Sequence, residues 1–254
     1  MKPVCPTATG GSMAGLRVRR LGRQSYADAC VLQSAAARTV SAGGPDQLLL
    51  LEHPPVVTVG RSGGQGQLLV PAAELTRRGV ALVNTDRGGG VTYHGPGQVV
   101  GYPIVDLRRR RLTPRGFLRI LEVALAGALI EQGLQAFLRT GLTGVWASGG
   151  KVAAIGVAVR RGIVRHGFAL NVDVDLEMFE LIVPCGLTEP VTSMRAMGWR
   201  GLRSDLMRGL ALHLGEALNL AERNDDAYRD RRPFDIPWGL LGRRPGRRPA
   251  DESS

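Results

Sequence analysis

The chain has 254 residues, 44% hydrophobic and 22% charged. These are ordinary proportions for a globular protein with a substantial core, and they exclude a disordered chain; 35 glycines without a three-residue period likewise exclude collagen. A net charge of +11 favours an anionic partner: nucleic acid, a membrane surface or an acidic protein.

Residues 1–14 are small and contain Gly, Thr and Pro, which reads as a flexible leader; Met13 offers an alternative start to Met1. The leader lacks the apolar core of a secretion signal, and no apolar run approaches the roughly 18 residues of a membrane span, so a cytoplasmic protein is expected. A helix with weak periodicity is expected from Gln24 to about Val40, carrying Tyr26, Cys30 and Ala37. Strands follow at Gln47–Glu52 and Val56–Gly60, separated by His53-Pro54-Pro55, because proline cannot donate to a ladder. Arg61–Gln67 reads as a loop, Val80–Asn84 as a strand, Val91–Tyr93 as a resumed strand after Arg87–Gly90, and Val99–Leu107 as another.

The clearest helix is Pro114–Gln132. Thr113 is placed to cap it, Pro114 suits its first position, and Gly133 suits the left-handed residue beyond its end. Phe117, Leu121, Leu125 and Leu129 give it one apolar stripe. A hairpin joins Val152–Val159 to Ile163–Asn171, and a last helix near Leu202–Leu220 presents Leu206, Leu210, Leu214 and Leu218. Residues 231–254 carry six arginines in a Pro/Gly-rich stretch and read as a disordered tail. Elements without regular βαβ alternation make the class α+β, with one domain over 15–230.

Three cysteines, with no CxxC pair and no His/Cys cluster at zinc spacing, fit a reducing compartment and no metal site. Ser148-Gly149-Gly150-Lys151 resembles a phosphate loop, but Val145 stands where its first glycine belongs and Val152 where Ser or Thr would follow. Only Lys2 and Lys151 are lysines. Lys151 reads either as a solvated strand end or as an ammonium beside Cys185, where a cation lowers a thiol pKa from about 8.5 and a lysine, unlike arginine, can shuttle a proton. Cys185, in Val183-Pro184-Cys185-Gly186, reads either as a small buried hydrophobe or as a nucleophile on a turn. The glycines of Arg87-Gly88-Gly89-Gly90 signal a bulge or a close backbone approach. Only 5% of residues are aromatic, which weakens the case for nucleic acid that charge alone makes.

Four stretches resemble the octanoyltransferases of lipoate biosynthesis: RGGGVTYHGPGQ (87–98), GGKVAAIG (149–156), HGFALNV (166–172) and VPCG (183–186), with His53-Pro54-Pro55 fitting as well. The resemblance spans about residues 16–220. It implies an α+β mixed sheet flanked by helices, similar to the biotin and lipoate protein ligases and the related class II synthetases. It also implies transfer of an octanoyl group from acyl carrier protein to a lysine of a lipoyl domain. The acceptors would be the E2 subunits of 2-oxoacid dehydrogenases and the glycine cleavage H protein, with neither nucleic acid nor membrane as partner. Cys185 would carry the acyl thioester and Lys151 would lower its pKa. Arg87, Gly88, Gly89, Gly90, Val91, Thr92, Tyr93 and His94 would line the pocket with Ala154, Ile155, Gly156, Gly167, Phe168 and Ala169. No cofactor would be held, since phosphopantetheine arrives on the carrier. An ATP-dependent ligase on the same fold is the alternative, and it leaves Cys185 without a role.

Overall fold

Four consecutive leucines, Leu48 to Leu51, break the alternation of a half-exposed strand. The computed structural model shows why: their strand is central in a sheet covered on both faces. The structure describes residues 10–13, 15–183 and 190–223. In chain order the elements are β1 (Gly10–Met13), β2 (Leu16–Arg23), α1 (Tyr26–Ser41), β3 (Asp46–Glu52), β4 (Val56–Val59), α2 (Ala72–Arg77), β5 (Ala81–Asn84), β6 (Val91–His94) and β7 (Gln98–Ile104). They continue with α3 (Pro114–Glu131), β8 (Ala136–Arg139), β9 (Leu142–Ala147), β10 (Gly150–Arg160), β11 (Ile163–Asn171) and α4 (Arg203–Arg223).

The large sheet runs β1-β2-β3-β7-β11-β10-β9-β8, and a small sheet runs β5-β4-β6. In each, one neighbouring pair is parallel, β2 with β3 and β4 with β5, and the rest are antiparallel. This is the expected mixed, α+β architecture. Alternation along β3 sends Leu48 and Leu50 to the α3–α4 side and Leu49 and Leu51 to the α1 side. A third cluster, including Val57, Val91, Tyr93 and Phe179, fills the space behind the small sheet.

α3 forms as its sequence predicts. Thr113 accepts the Gly116 N–H (3.0 Å) and Pro114 opens the helix. At its end Leu134 N–H reaches the Leu129 carbonyl and Gly133 N–H the Ile130 carbonyl, with Gly133 at φ +81°. Phe117, Leu121, Leu125 and Leu129 are all buried, each such side chain stabilising by roughly 1.5–3 kcal/mol. Facing them on α4 are Leu206, Leu210, Leu214 and Leu218, again as expected.

The periodicity of α1 is weak because its buried stripe, Tyr26-Ala29-Gln33-Ala36-Val40, contains a polar residue. Gln33 is buried against β11, where its Oε1 accepts the His166 N–H (2.8 Å). Gly10–Met13, inside the expected leader, pair with β2. Residues 1–9, 14 and 224–254, which include Cys5 and the expected tail, lie outside the described residues. β2, α2, β8 and β9 occupy stretches to which the sequence pattern assigned no element. Among the described residues no helix is long and apolar enough to cross a membrane.

Candidate active site

Lys151 is fixed by a crossing of three chain segments. It pairs with Trp146 of β9 on one side and forms a parallel bridge with Val191 on the other. The Lys151 N–H donates to the Pro190 carbonyl (2.9 Å), and the Thr192 N–H donates to the Lys151 carbonyl (3.0 Å). This crossing needs Gly150. That residue sits at φ +136°, and a Cβ there would run into the Pro190 carbonyl. The Lys151 amine donates to the Thr143 carbonyl (3.2 Å) and lies 4.7 Å from the centre of the Trp146 ring, within cation–π range.

Cys185 lies outside the described residues, which end at Val183 and resume at Pro190. Both flanks are tied down. Ile182 bridges Leu68, and the Val183 N–H donates to the Gln67 carbonyl (2.8 Å). On the other flank Pro190 to Thr192 lie along Lys151.

The glycine run after Arg87 is a close approach of backbones, one of the two readings its sequence allowed. The Gly88 N–H donates to the Val157 carbonyl (2.9 Å), and a Cβ on Gly156 would lie 2.8 Å from the Gly88 carbonyl. From the other side Gly60, Arg61 and Ser62 donate to the carbonyls of Gly90, Arg87 and Gly89. Arg87 locks this junction from within. Its guanidinium donates to the Thr58 carbonyl (2.7 Å) and hydroxyl (2.8 Å) and to the Gly88 carbonyl (3.0 Å).

The two predicted pocket tripeptides pair directly: Ala154 with Ala169, Ile155 with Phe168 and Gly156 with Gly167. Together with Arg87, Thr92 and His94 they line a narrow slot. That slot shares Ala154, Ile155 and Gly156 with an open cleft of about 530 Å³ that reaches Gly88, Gly89, Lys151 and Arg61. Three residues of the expected pocket stand elsewhere. Val91 and Tyr93 face the opposite side of β6, packed in the third cluster, because a strand alternates its side chains. Gly90 lies behind the loop, its carbonyl accepting from Gly60.

Tyr26, Tyr102 and His166 also line the slot; the sequence pattern singled out neither tyrosine as a site residue and carried His166 only as the first residue of HGFALNV. With His53 and His94 they form a buried aromatic layer, successive ring centres 5.4–6.5 Å apart. His53 donates through Nδ1 to the Gln24 carbonyl (2.8 Å) and accepts the Tyr102 hydroxyl at Nε2 (2.7 Å). His94 donates to Gln98 Oε1 (3.1 Å); Gln98 in turn donates to Asn171 (2.9 Å), and Asn171 to the Thr192 carbonyl (3.0 Å). A hydrogen-bonded chain thus connects the slot to the segment paired with Lys151. Burial holds His94 well below the usual histidine range, helped by His53 and Arg87, and it pushes the Tyr102 phenol up. His166 Nε2 donates to Asp86 (2.7 Å), and that bond holds the Asp86 carboxyl down. Among the described residues no group of three or more His, Cys, Asp or Glu side chains is disposed to hold a metal ion.

The lipoyl protein ligase A/B catalytic domain matches residues 25–208. The octanoyltransferase of Solibacter usitatus is 50% identical over 184 residues, 72% of this chain and 84% of that protein. That of Geobacter metallireducens is 46% identical over 184 residues, covering 72% and 83%. Among solved structures, the bipartite lipoate protein ligase of Thermoplasma acidophilum superposes with a TM-score of 0.65 at 19% identity, over 82% of this chain and 85% of that one. A lipoate-protein ligase A bound with ATP gives 0.59 at 19% identity, over 82% and 94%. At such identities these two structures establish the shared fold.

Proposed function

The chain belongs to the octanoyltransferases, acyltransferases built on the lipoyl protein ligase A/B catalytic domain, and from that premise we propose a two-step transfer through Cys185. The Cys185 thiolate attacks the octanoyl thioester of an acyl carrier protein. The tetrahedral intermediate collapses, the carrier's thiol departs with a proton from the Lys151 ammonium, and the octanoyl group remains on sulfur. A lysine amine of a lipoyl domain then attacks this thioester, Cys185 leaves as thiolate, and the amine's proton returns to Lys151. Backbone N–H groups of a glycine-rich turn would steady each oxyanion. One thioester replaces another in the first step and an amide forms in the second, so no nucleotide is consumed. The acyl chain would lie along Ala154–Gly156 and Gly167–Ala169, which line the slot. The carrier's phosphopantetheine would enter by the cleft, and the chain's positive charge suits an acidic carrier, chiefly in association rate.

The observation that carries this reading is the pairing of Pro190–Thr192 with Lys151. Cys185 is five residues from that anchor, so the chain limits their separation to about 18 Å, and two residues from the anchor at Val183. Intact-mass measurement after mixing with octanoyl carrier protein tests it. The expected result is a gain of one octanoyl group without ATP, labile to hydroxylamine and absent in Cys185→Ala. Persistent modification of that variant would remove Cys185 from the role, and a requirement for ATP would favour a ligase.

A further inference from the structure

The transfer steps leave unused a buried carboxylate that lies next to the Lys151 clamp. Glu122 interrupts the apolar face of α3, 1% exposed between Leu121 and Val123, where a leucine would serve packing better. Both of its oxygens are engaged: Oε1 accepts the Gly144 N–H (3.0 Å), and Oε2 pairs with Arg119. Gly144 follows Thr143, whose carbonyl holds the Lys151 amine, and a Cβ on Gly144 would lie 3.4 Å from Lys151 Cε. The carboxylate, this stretch of β9 and the amine are therefore contiguous.

We propose that Glu122 is the positioning residue of Lys151. It fixes the β9 backbone that clamps the amine, and its charge keeps that amine protonated. The inference rests on the reading of Lys151 as ammonium and proton donor. Among the described residues, the charged groups near the amine are Arg119 and Glu122 from α3, Arg139 from β8, 5.6 Å from the same Trp146 ring, and Arg61 at the rim of the cleft. Glu122 is the one anion in that set; without it three guanidinium groups would favour the neutral amine. Burial raises the Glu122 pKa, while the Gly144 N–H, Arg119 and Lys151 favour its ionised form.

The test is the pH dependence of Lys151 acetylation in the full chain, read by peptide mass spectrometry with Lys2 as reference. It needs neither carrier nor acceptor. Glu122→Gln keeps an oxygen for Gly144 and is expected to lower the Lys151 midpoint by about one pH unit. Glu122→Asp keeps the charge and is expected to leave the midpoint nearer that of the unaltered chain while slowing transfer. An unchanged Lys151 midpoint in Glu122→Gln, or the same shift in both variants, would overturn the proposal. If Glu122→Gln does not melt cooperatively, Glu122→Leu replaces it: it removes the same charge, suits the apolar face of α3, and leaves Arg119, whose side chain is 24% exposed, able to reach solvent. The expected direction and the overturning result are the same. The alkaline limb of the transfer–pH profile should move with the labelling midpoint. A labelling shift in a chain that transfers nothing would support Glu122 and sink the transfer reading instead.

Discussion

Three buried histidines belong to the aromatic layer: His94 and His166 line the slot and His53 stands behind them. Burial lowers the pKa of His53, His94 and His166, and in His166 the Asp86 carboxylate opposes the effect. The unfolded chain binds these protons near pH 6.5, while the folded chain binds them only at lower pH. The stability they contribute is therefore complete above about pH 6.5 and is lost as pH falls towards the folded values. The slope should approach about 1.4 kcal/mol per pH unit for each histidine. Urea unfolding between pH 7.5 and 5.5 checks this: stability should fall with pH and fall less in His94→Gln, whereas a flat profile would contradict neutral burial. At this scale the sequence was legible where several residues spoke together. Ala154–Gly156 and Gly167–Ala169, each a run within a motif, meet at the slot with His166, which directly precedes Gly167, whereas Tyr26 and Tyr102 come from two other elements and reach it only through tertiary packing. Val91 and Tyr93 came with a motif taken whole, and the alternation of their strand turns both side chains into the third cluster.

Among the elements, the β9–β10 turn has the clearest consequence for activity. Gly150→Ala would place a β-carbon against the Pro190 carbonyl at a backbone angle costing roughly 1–3 kcal/mol, so the paired segment must shift. Misplacement of about 1 Å can cost about 100-fold in rate. Octanoyl transfer by Gly150→Ala is accordingly expected to fall about 100-fold while cooperative melting survives. A rate equal to that of the unaltered chain would show that the Lys151–Pro190 contact is dispensable. α3 was legible end to end because cap, stripe and terminal glycine agree. β2 was missed although Leu16 and Val18 alternate with arginines, since its net charge resembles a solvated segment. β8 and β9 are short, and their pairing with each other and with β10 supplies what local pattern lacks.

The whole molecule gathers distant stretches at one place. The fold class follows from the mixture of elements, but nothing local in the sequence states that residues beside Cys185 return to pair with Lys151. Topology does this: β9, β10 and the 190–192 segment lie side by side, with α3 beneath them. The reading of the residues and the family resemblance both set Lys151 beside Cys185 as an expectation; the structure describes the flanks, Val183 and Pro190 to Thr192. The central claim is that the Lys151 ammonium acts on the Cys185 thiol, and the pH dependence of iodoacetamide alkylation at Cys185 tests it most directly. The account predicts a midpoint clearly below the ordinary value of about 8.5, rising by about one unit or more in Lys151→Met; coincident midpoints in the two proteins would contradict it.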